Sequence, residues 1–261
     1  MAHRAGGDGG HGRTVHIHDV SPVTVGAVRR LAAELFGTAL LLAAVVGSGI
    51  AAQRLSPHDT GLELLENAIA TGAALTAIIL AVGPVSGAHL NPVVTLLDAA
   101  LGGMGAREAG GYIAAQVAGG AGGVVIANLM FSLPAVSISS RTRSGPGLWL
   151  AEAVATFGLL VVIFGCVRGG QRAAAPFAVG AYITGAYFFT ASTSFANPAV
   201  TVAREFSNTF AGVAPGSVAG LIGGQLLGTA VAFAAVRLLY PDVADRAERV
   251  VVPHEPPNVA R

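Results

Sequence analysis

Apolar residues fall into six long runs, near 31–51, 64–82, 109–130, 148–167, 173–192 and 217–240, which hold few of the charged residues. At 1.5 Å per residue each predicts a helix long enough for a bilayer core of ~30 Å. Two shorter apolar pieces, near 91–102 and 197–208, break this pattern. The first opens Asn91-Pro92-Val93-Val94-Thr95, the second Asn197-Pro198-Ala199-Val200-Thr201. Asn at an N-cap followed by Pro in the first turn is a strong helix start. A helix of ten to twelve residues covers only about half of the hydrocarbon core. It must enter and return on one side, with its non-helical lead-in surrounded by protein or by a water-filled path.

The two halves repeat. Ala33-Glu34 with Thr38 in the first run matches Ala151-Glu152 with Thr156 in the fourth. Gln116 matches Gln225, and Gly111, Ala115, Gly119 and Gly123 align with Gly220, Gly224, Gly228 and Ala232. Small residues every fourth position give each helix one smooth face for close backbone packing in lipid. Three spans per half is an odd number, so the halves have opposite orientation. The two half-helices then enter from opposite sides and bring their N-termini together near the midplane. The fold class expected is all-α membrane protein with an inverted 3+3 repeat.

Composition supports a multi-pass membrane protein. Of 261 residues, 53% are hydrophobic and 11% charged, with a mean hydropathy of +0.66. A soluble domain carries roughly twice that charge fraction. The net charge of +1 points to no nucleic-acid partner. The single cysteine, Cys166, lies in an apolar run and reads as a buried structural thiol. Residues 1–28 read as a mobile cytoplasmic tail without a secretory signal, and residues 241–261 as a second cytoplasmic tail. His3, His11, His16 and His18 lie in the first tail, where no second ligand cluster fixes a metal geometry. The span-bearing domain is 29–240, with halves 29–131 and 146–240. With the N-terminus inside, Arg29, Arg30, Arg107, Arg168, Arg172, Arg237, Arg246 and Arg249 fall on the cytoplasmic side, while Arg54, Arg141, Arg143 and Arg204 fall outside. That bias puts both termini in the cytoplasm.

The Ala-Glu-x-x-x-Thr starts, the run Ser86-Gly87-Ala88-His89-Leu90-Asn91-Pro92 and the second Asn-Pro-Ala resemble the aquaporin and glycerol-facilitator family, the major intrinsic proteins, over roughly residues 30–240. The resemblance implies an aquaporin-like bundle of six transmembrane helices and two re-entrant half-helices, a homotetramer with one pore per subunit, and passive conduction in the cell membrane without cofactor, metal or catalysis. Asn91, Pro92, Val93 and Asn197, Pro198, Ala199 would form the two central motifs, with the amides of Asn91 and Asn197 facing the pore. Val93 replaces the usual Ala. Gly87, Ala88, His89 and Thr193 would line the pore with backbone carbonyls. Glu34 and Glu152 would accept backbone donors from the re-entrant loops.

The chain departs from the family at the outer constriction. Where most members follow the second triplet with Arg, this chain has Val200. Family spacing puts the other constriction positions at Thr71, Gly185 and Ser194, which predicts a wide, mildly polar, uncharged filter. Such a filter suits glycerol-like polyols and metalloid hydroxides such as arsenous acid, and also water. A water-selective channel, a non-conducting junctional relative and a secondary transporter are the alternatives. Arg204 shares a helical face with Val200 and Asn197 and lies one turn further out, as a displaced cation at the outer mouth.

Overall fold

The structure, a computed structural model, describes residues 26–241. The two tails, including His3, His11, His16 and His18, lie outside the described residues except for residues 26–28 and Pro241. Eight α-helices follow in order: α1 (Ala27–Leu55), α2 (Thr60–Ser86), α3 (Pro92–Ala100), α4 (Ala106–Met130), α5 (Pro146–Arg168), α6 (Ala175–Phe189), α7 (Pro198–Ala203) and α8 (Pro215–Leu239). Short 3-10 turns at Arg172–Ala174 and Arg204–Phe206 precede α6 and follow α7. Proline in the first turn starts α3, α5, α6, α7 and α8, where its missing N–H costs nothing.

Five helices, α1, α2, α4, α5 and α8, are long and apolar enough to cross a membrane. The sixth expected span, 173–192, is shorter than its hydropathy suggested. Its α-helix has 15 residues, because a 3-10 turn takes its start and the backbone becomes extended at Thr190. The residues after Thr190 are needed as the lead-in to α7. The half-helices are also shorter than expected. α3 stops at Ala100, with the N–H of Gly103 donating to the Asp98 carbonyl, and α7 tightens into its 3-10 turn at Arg204.

α1 packs on α2 and α4, α5 on α6 and α8, and α2 meets α6 between the halves. The small-residue faces sit where α4 crosses α1 and where α8 crosses α5. A Cβ on Gly119 or Gly123 would collide with the α1 backbone at Leu35 or Ala39. Equally, Gly224 and Gly228 press on the α5 carbonyls of Trp149 and Ala153. Helices packed this closely gain dispersion contacts that lipid does not supply. Phe36, Leu40, Ile126, Val154, Phe188 and Leu227 are exposed around the bundle, an apolar surface that suits lipid.

The start of α1 and the start of α4 share one end, joined by the Arg30–Glu108 ion pair at 3.1 Å; this is called the near face. The opposite, far face carries the segments 131–145 and 204–214. They are tied together by Ser137 N–H to Phe206, Ser139 N–H to Glu205 and Ala214 N–H to Arg141. α3 returns to the near face and α7 to the far face.

Gly123→Val should overpack the α1–α4 crossing and lower stability by about 1–3 kcal/mol. Gly122→Val, where an added Cβ meets nothing, should fall within about 0.5 kcal/mol of the parent. Thermal unfolding of the two variants in detergent compares them directly, and equal melting would contradict the close crossing.

Candidate functional site

Two buried carboxylates hold the centre together. Glu34 on α1 is fully buried and accepts from the backbone N–H of His89 (3.0 Å) and Leu90 (2.7 Å), the Ser86 hydroxyl (2.6 Å) and Gln116 Nε2 (2.7 Å). Glu152 on α5 accepts from the N–H of Phe195 (2.9 Å) and Ala196 (2.8 Å) and from Gln225 Nε2 (2.6 Å). Each glutamine also donates to the threonine of its motif, Gln116 to Thr95 and Gln225 to Thr201. Those threonines donate back to the carbonyls of Asn91 and Asn197. A carboxylate with no helix of its own to cap thus satisfies a loop that cannot satisfy itself in lipid.

The lead-ins are strained in matching places. Ala88 and Leu90 in the first, and Ser194 and Ala196 in the second, take left-handed φ near +50°. Such backbone persists only where its surroundings over-determine it, and the carboxylate hydrogen bonds do that here.

Each lead-in ends at its Asn. The Asn91 side-chain oxygen accepts from Val93 N–H, and that of Asn197 from Ala199 and Val200 N–H. Each amide nitrogen reaches across to the other half. Asn91 Nδ2 donates to the Ala196 carbonyl and Asn197 Nδ2 to the Leu90 carbonyl, both at 2.8 Å. A carboxamide nitrogen has two protons, so one on each Asn remains for the space alongside. Val93 and Ala199 are completely buried where the two half-helices meet.

That space is a cavity of about 80 Å³. It touches both asparagines, Ala88, His89, Thr71 and Ser194 among its polar and backbone contributors, with Leu75, Ile79 and Val200 among its apolar ones. The Ser194 hydroxyl is buried and, among the described residues, has no hydrogen-bond partner. His89 both lines the cavity and braces the loop: its Nδ1 lies 3.1 Å from Thr95 Oγ1, and its ring meets Tyr112 edge-on. Gly87 and Thr193 sit in the lead-ins, both with positive φ, but outside the cavity wall.

On α6 the residues that line the cavity are not the one expected at the constriction. Gly185 is exposed on the outside of the bundle and does not reach the cavity. Val179, Ile183 and Tyr187, spaced by four, form the face that does. Gly185 stands two residues from Tyr187 and is therefore rotated by about 200° around the helix. The inward residue is large: the buried Tyr187 hydroxyl donates to Thr71 Oγ1 at 3.3 Å. The wall is not uncharged either. Arg204 is 2% exposed, lines the same cavity, and lies over the Phe195 ring with 3.7 Å from guanidinium carbon to centroid.

Sequence reasoning singled out no role for Arg143, which the fold brings to the same ring. It lies 5.7 Å from the Phe195 centroid and donates to the carbonyls of Gly212 (3.0 Å) and Phe210 (2.9 Å). Burial, then the charge of Arg141, hold this guanidinium below its ordinary pKa. A loop arginine has no periodicity to mark it, so only the fold reveals its position. The same fold pairs His89 with Asp98 and Phe195 with Arg204, positions related by one 106-residue offset. His89 Nε2 is 3.9 Å from the Asp98 carboxylate. The repeat therefore puts an acidic residue, Asp98, toward the near face and a basic one, Arg204, toward the far face.

An inverted pair of helical halves, each sending a broken helix to a shared central cavity, defines a membrane channel. Residues 21–196 match the family described as major intrinsic protein. The chain is 51% identical over 211 residues to the aquaglyceroporin AqpS of Rhizobium meliloti (strain 1021), covering 81% of this chain and 90% of that one. It is 28% identical over 235 residues to the probable aquaporin TIP5-1 of Oryza sativa subsp. japonica, covering 85% and 87%. In structure it is similar to the aquaglyceroporin from Plasmodium falciparum, with a TM-score of 0.63 and 20% identity over 84% of this chain and 99% of that one. The chain belongs to the major intrinsic protein family.

Glu152→Ala should leave the N–H groups of Phe195 and Ala196 and the Gln225 amide without their acceptor, at about 1–3 kcal/mol each. A sharp fall in folded yield and melting temperature after extraction is expected. A variant that melts like the parent would remove Glu152 from the support of the second lead-in.

Proposed function

We propose that the chain is a passive channel for small neutral solutes: glycerol-like polyols, metalloid hydroxides such as arsenous acid, and water. The observation that carries this reading is the pair of Asn-capped helix starts, each with an amide proton left over beside one continuous cavity. Each helix start carries about half a positive charge. Two facing ends raise the potential at the midplane and oppose cations, hydronium included. The remaining amide protons of Asn91 and Asn197, and the Ser194 hydroxyl, offer partners to a solute's oxygens. The apolar wall at Leu75, Ile79 and Val200 offers nothing to a charge. The aquaglyceroporin named for the 51% identical relative supports a solute channel over a strictly water-selective one.

In this reading the filter consists of Thr71, Tyr187, Ser194 and Val200, with Arg204 supplying positive charge from one turn further out. Val200 leaves open the space that an Arg at its position would fill. The Tyr187–Thr71 hydrogen bond narrows the opposite side. The near face is cytoplasmic, by the arginine bias, and the assembly is a homotetramer, by the resemblance.

Stopped-flow light scattering on proteoliposomes, comparing water, glycerol and arsenous acid, tests the proposal. Glycerol and arsenous acid should each pass well above the rate of empty vesicles, without a driving ion gradient. Glycerol rates equal to those of empty vesicles would reject it. Asn197→Ala removes a cap worth about 1 kcal/mol and should reduce flux of all three solutes.

Two variants separate the filter assignments. Tyr187→Ala should raise glycerol flux more than water flux, whereas Gly185→Ala should leave their ratio unchanged. The opposite result would return the constriction to Gly185. Arg204→Leu should raise proton leak by a larger factor than it changes glycerol flux, as read by a pH-sensitive dye inside the vesicles.

A further inference from the structure

The far mouth holds more positive charge than neutral-solute conduction requires. Arg204 and Arg143 flank the Phe195 ring, and Arg141 lies over Phe210 at 5.9 Å. The first two clamp three successive carbonyls: Arg143 takes Phe210 and Gly212, and Arg204 Nε donates to Ala211 between them. Among the described residues, neither guanidinium has a carboxylate within 4 Å. The acids in the neighbourhood do not serve. Glu152 is committed to the second lead-in, and Glu205, next in the chain, is half-buried without an ion pair.

Arg204 is nevertheless almost completely buried where it lines the cavity, and among the described residues its terminal amino groups have no acceptor. A buried cation with no counter-ion is costly, and a guanidinium fork matches two oxygens of a planar anion. A second cation close behind it, in a recess with low-dielectric walls, focuses the field on the same spot.

We propose that the far mouth is an anion site in which Arg204, backed by Arg143, binds small monovalent oxyanions of the carboxylate and nitrate class. The inference rests on the channel reading above. The ion sits against the free edge of the Arg204 guanidinium and goes no deeper, because the wall beyond it, at Val200, Leu75 and Ile79, cannot solvate a charge. It therefore occupies the entrance that a neutral solute must use, and neutral flux falls as the site fills. Screening shortens the reach of both arginines to about 8 Å at physiological salt, so the effect is strongest at low ionic strength.

Nitrate is a suitable probe, because it has no neutral acid form at pH 7 that would slip through lipid. Glycerol uptake is measured in proteoliposomes with sodium nitrate replacing sodium chloride on both sides, at constant ionic strength, since chloride offers no pair of oxygens to the guanidinium fork. The wild-type channel should show saturable inhibition by nitrate. Arg204→Leu should shift half-inhibition by about tenfold or more, and Arg143→Gln, which keeps an amide donor for the carbonyls, by several-fold. Should Arg204→Leu fail to fold, Arg204→Lys keeps the charge without the fork and should still weaken inhibition. Each variant is normalised to its own flux in chloride. Wild-type glycerol flux that is the same in nitrate as in chloride overturns the anion site and leaves the channel standing. Unshifted inhibition in both Arg143→Gln and Arg204→Lys also overturns it. Absence of any glycerol flux in chloride strikes the channel reading itself, and the anion site with it.

Discussion

The structure depends on a carboxylate being cheaper to bury than a bare loop. A re-entrant segment in a membrane exposes backbone N–H groups that neither water nor lipid can satisfy. Glu34 and Glu152 supply the acceptors from neighbouring helices, and Gln116 and Gln225 satisfy the carboxylate oxygens in return. Each carboxylate is fully buried yet fully engaged. Without these bonds the left-handed φ values at Ala88, Leu90, Ser194 and Ala196 would relax. The asparagines would then lose the positions from which each reaches the other half.

That exchange across the halves makes the centre one object. Asn91 caps its own helix and donates to the lead-in of the second half; Asn197 does the reverse. Neither half-helix can shift without breaking a hydrogen bond belonging to the other. The facing dipoles, which repel, are held together by these cross-bonds and by the buried contact of Val93 and Ala199. In the proposed channel the barrier to cations is thereby built from the backbone geometry of the two helix starts.

The two mouths differ although the centre is nearly symmetric. Toward the near face, the repeat carries His89 and Asp98; toward the far face, the equivalent places hold Phe195 and Arg204. The far mouth adds Arg143 from a loop that has no counterpart in that role, and the carbonyls of 210–212 absorb part of the extra charge. An inverted repeat thus gives a shared scaffold for solute passage and leaves its ends free to diverge.

Much of this was legible in the chain because membrane structure obeys local rules. The duplicated Asn-Pro starts, the matched Glu and Gln positions and the four-residue glycine spacing each depend on helix geometry, which short sequence intervals encode. The facing of Gly185 and Tyr187 was not legible. It depends on the rotation of α6, which is set by packing against α2 and α5 and not by its uniformly apolar composition. The length of α6 was hidden for a similar reason, since the lead-in to α7 recruits residues as apolar as the helix. The role of Arg143 required the folding of segment 131–145 onto 207–214, a contact between residues about 70 positions apart. Sequence alone determined the topology, the half-helices and their asparagines, because these follow from the local chemistry of helix starts in lipid. Only the tertiary structure decided which side chains face the pore and which charges meet at its mouth, because helix rotation and loop docking arise from contacts distant along the chain.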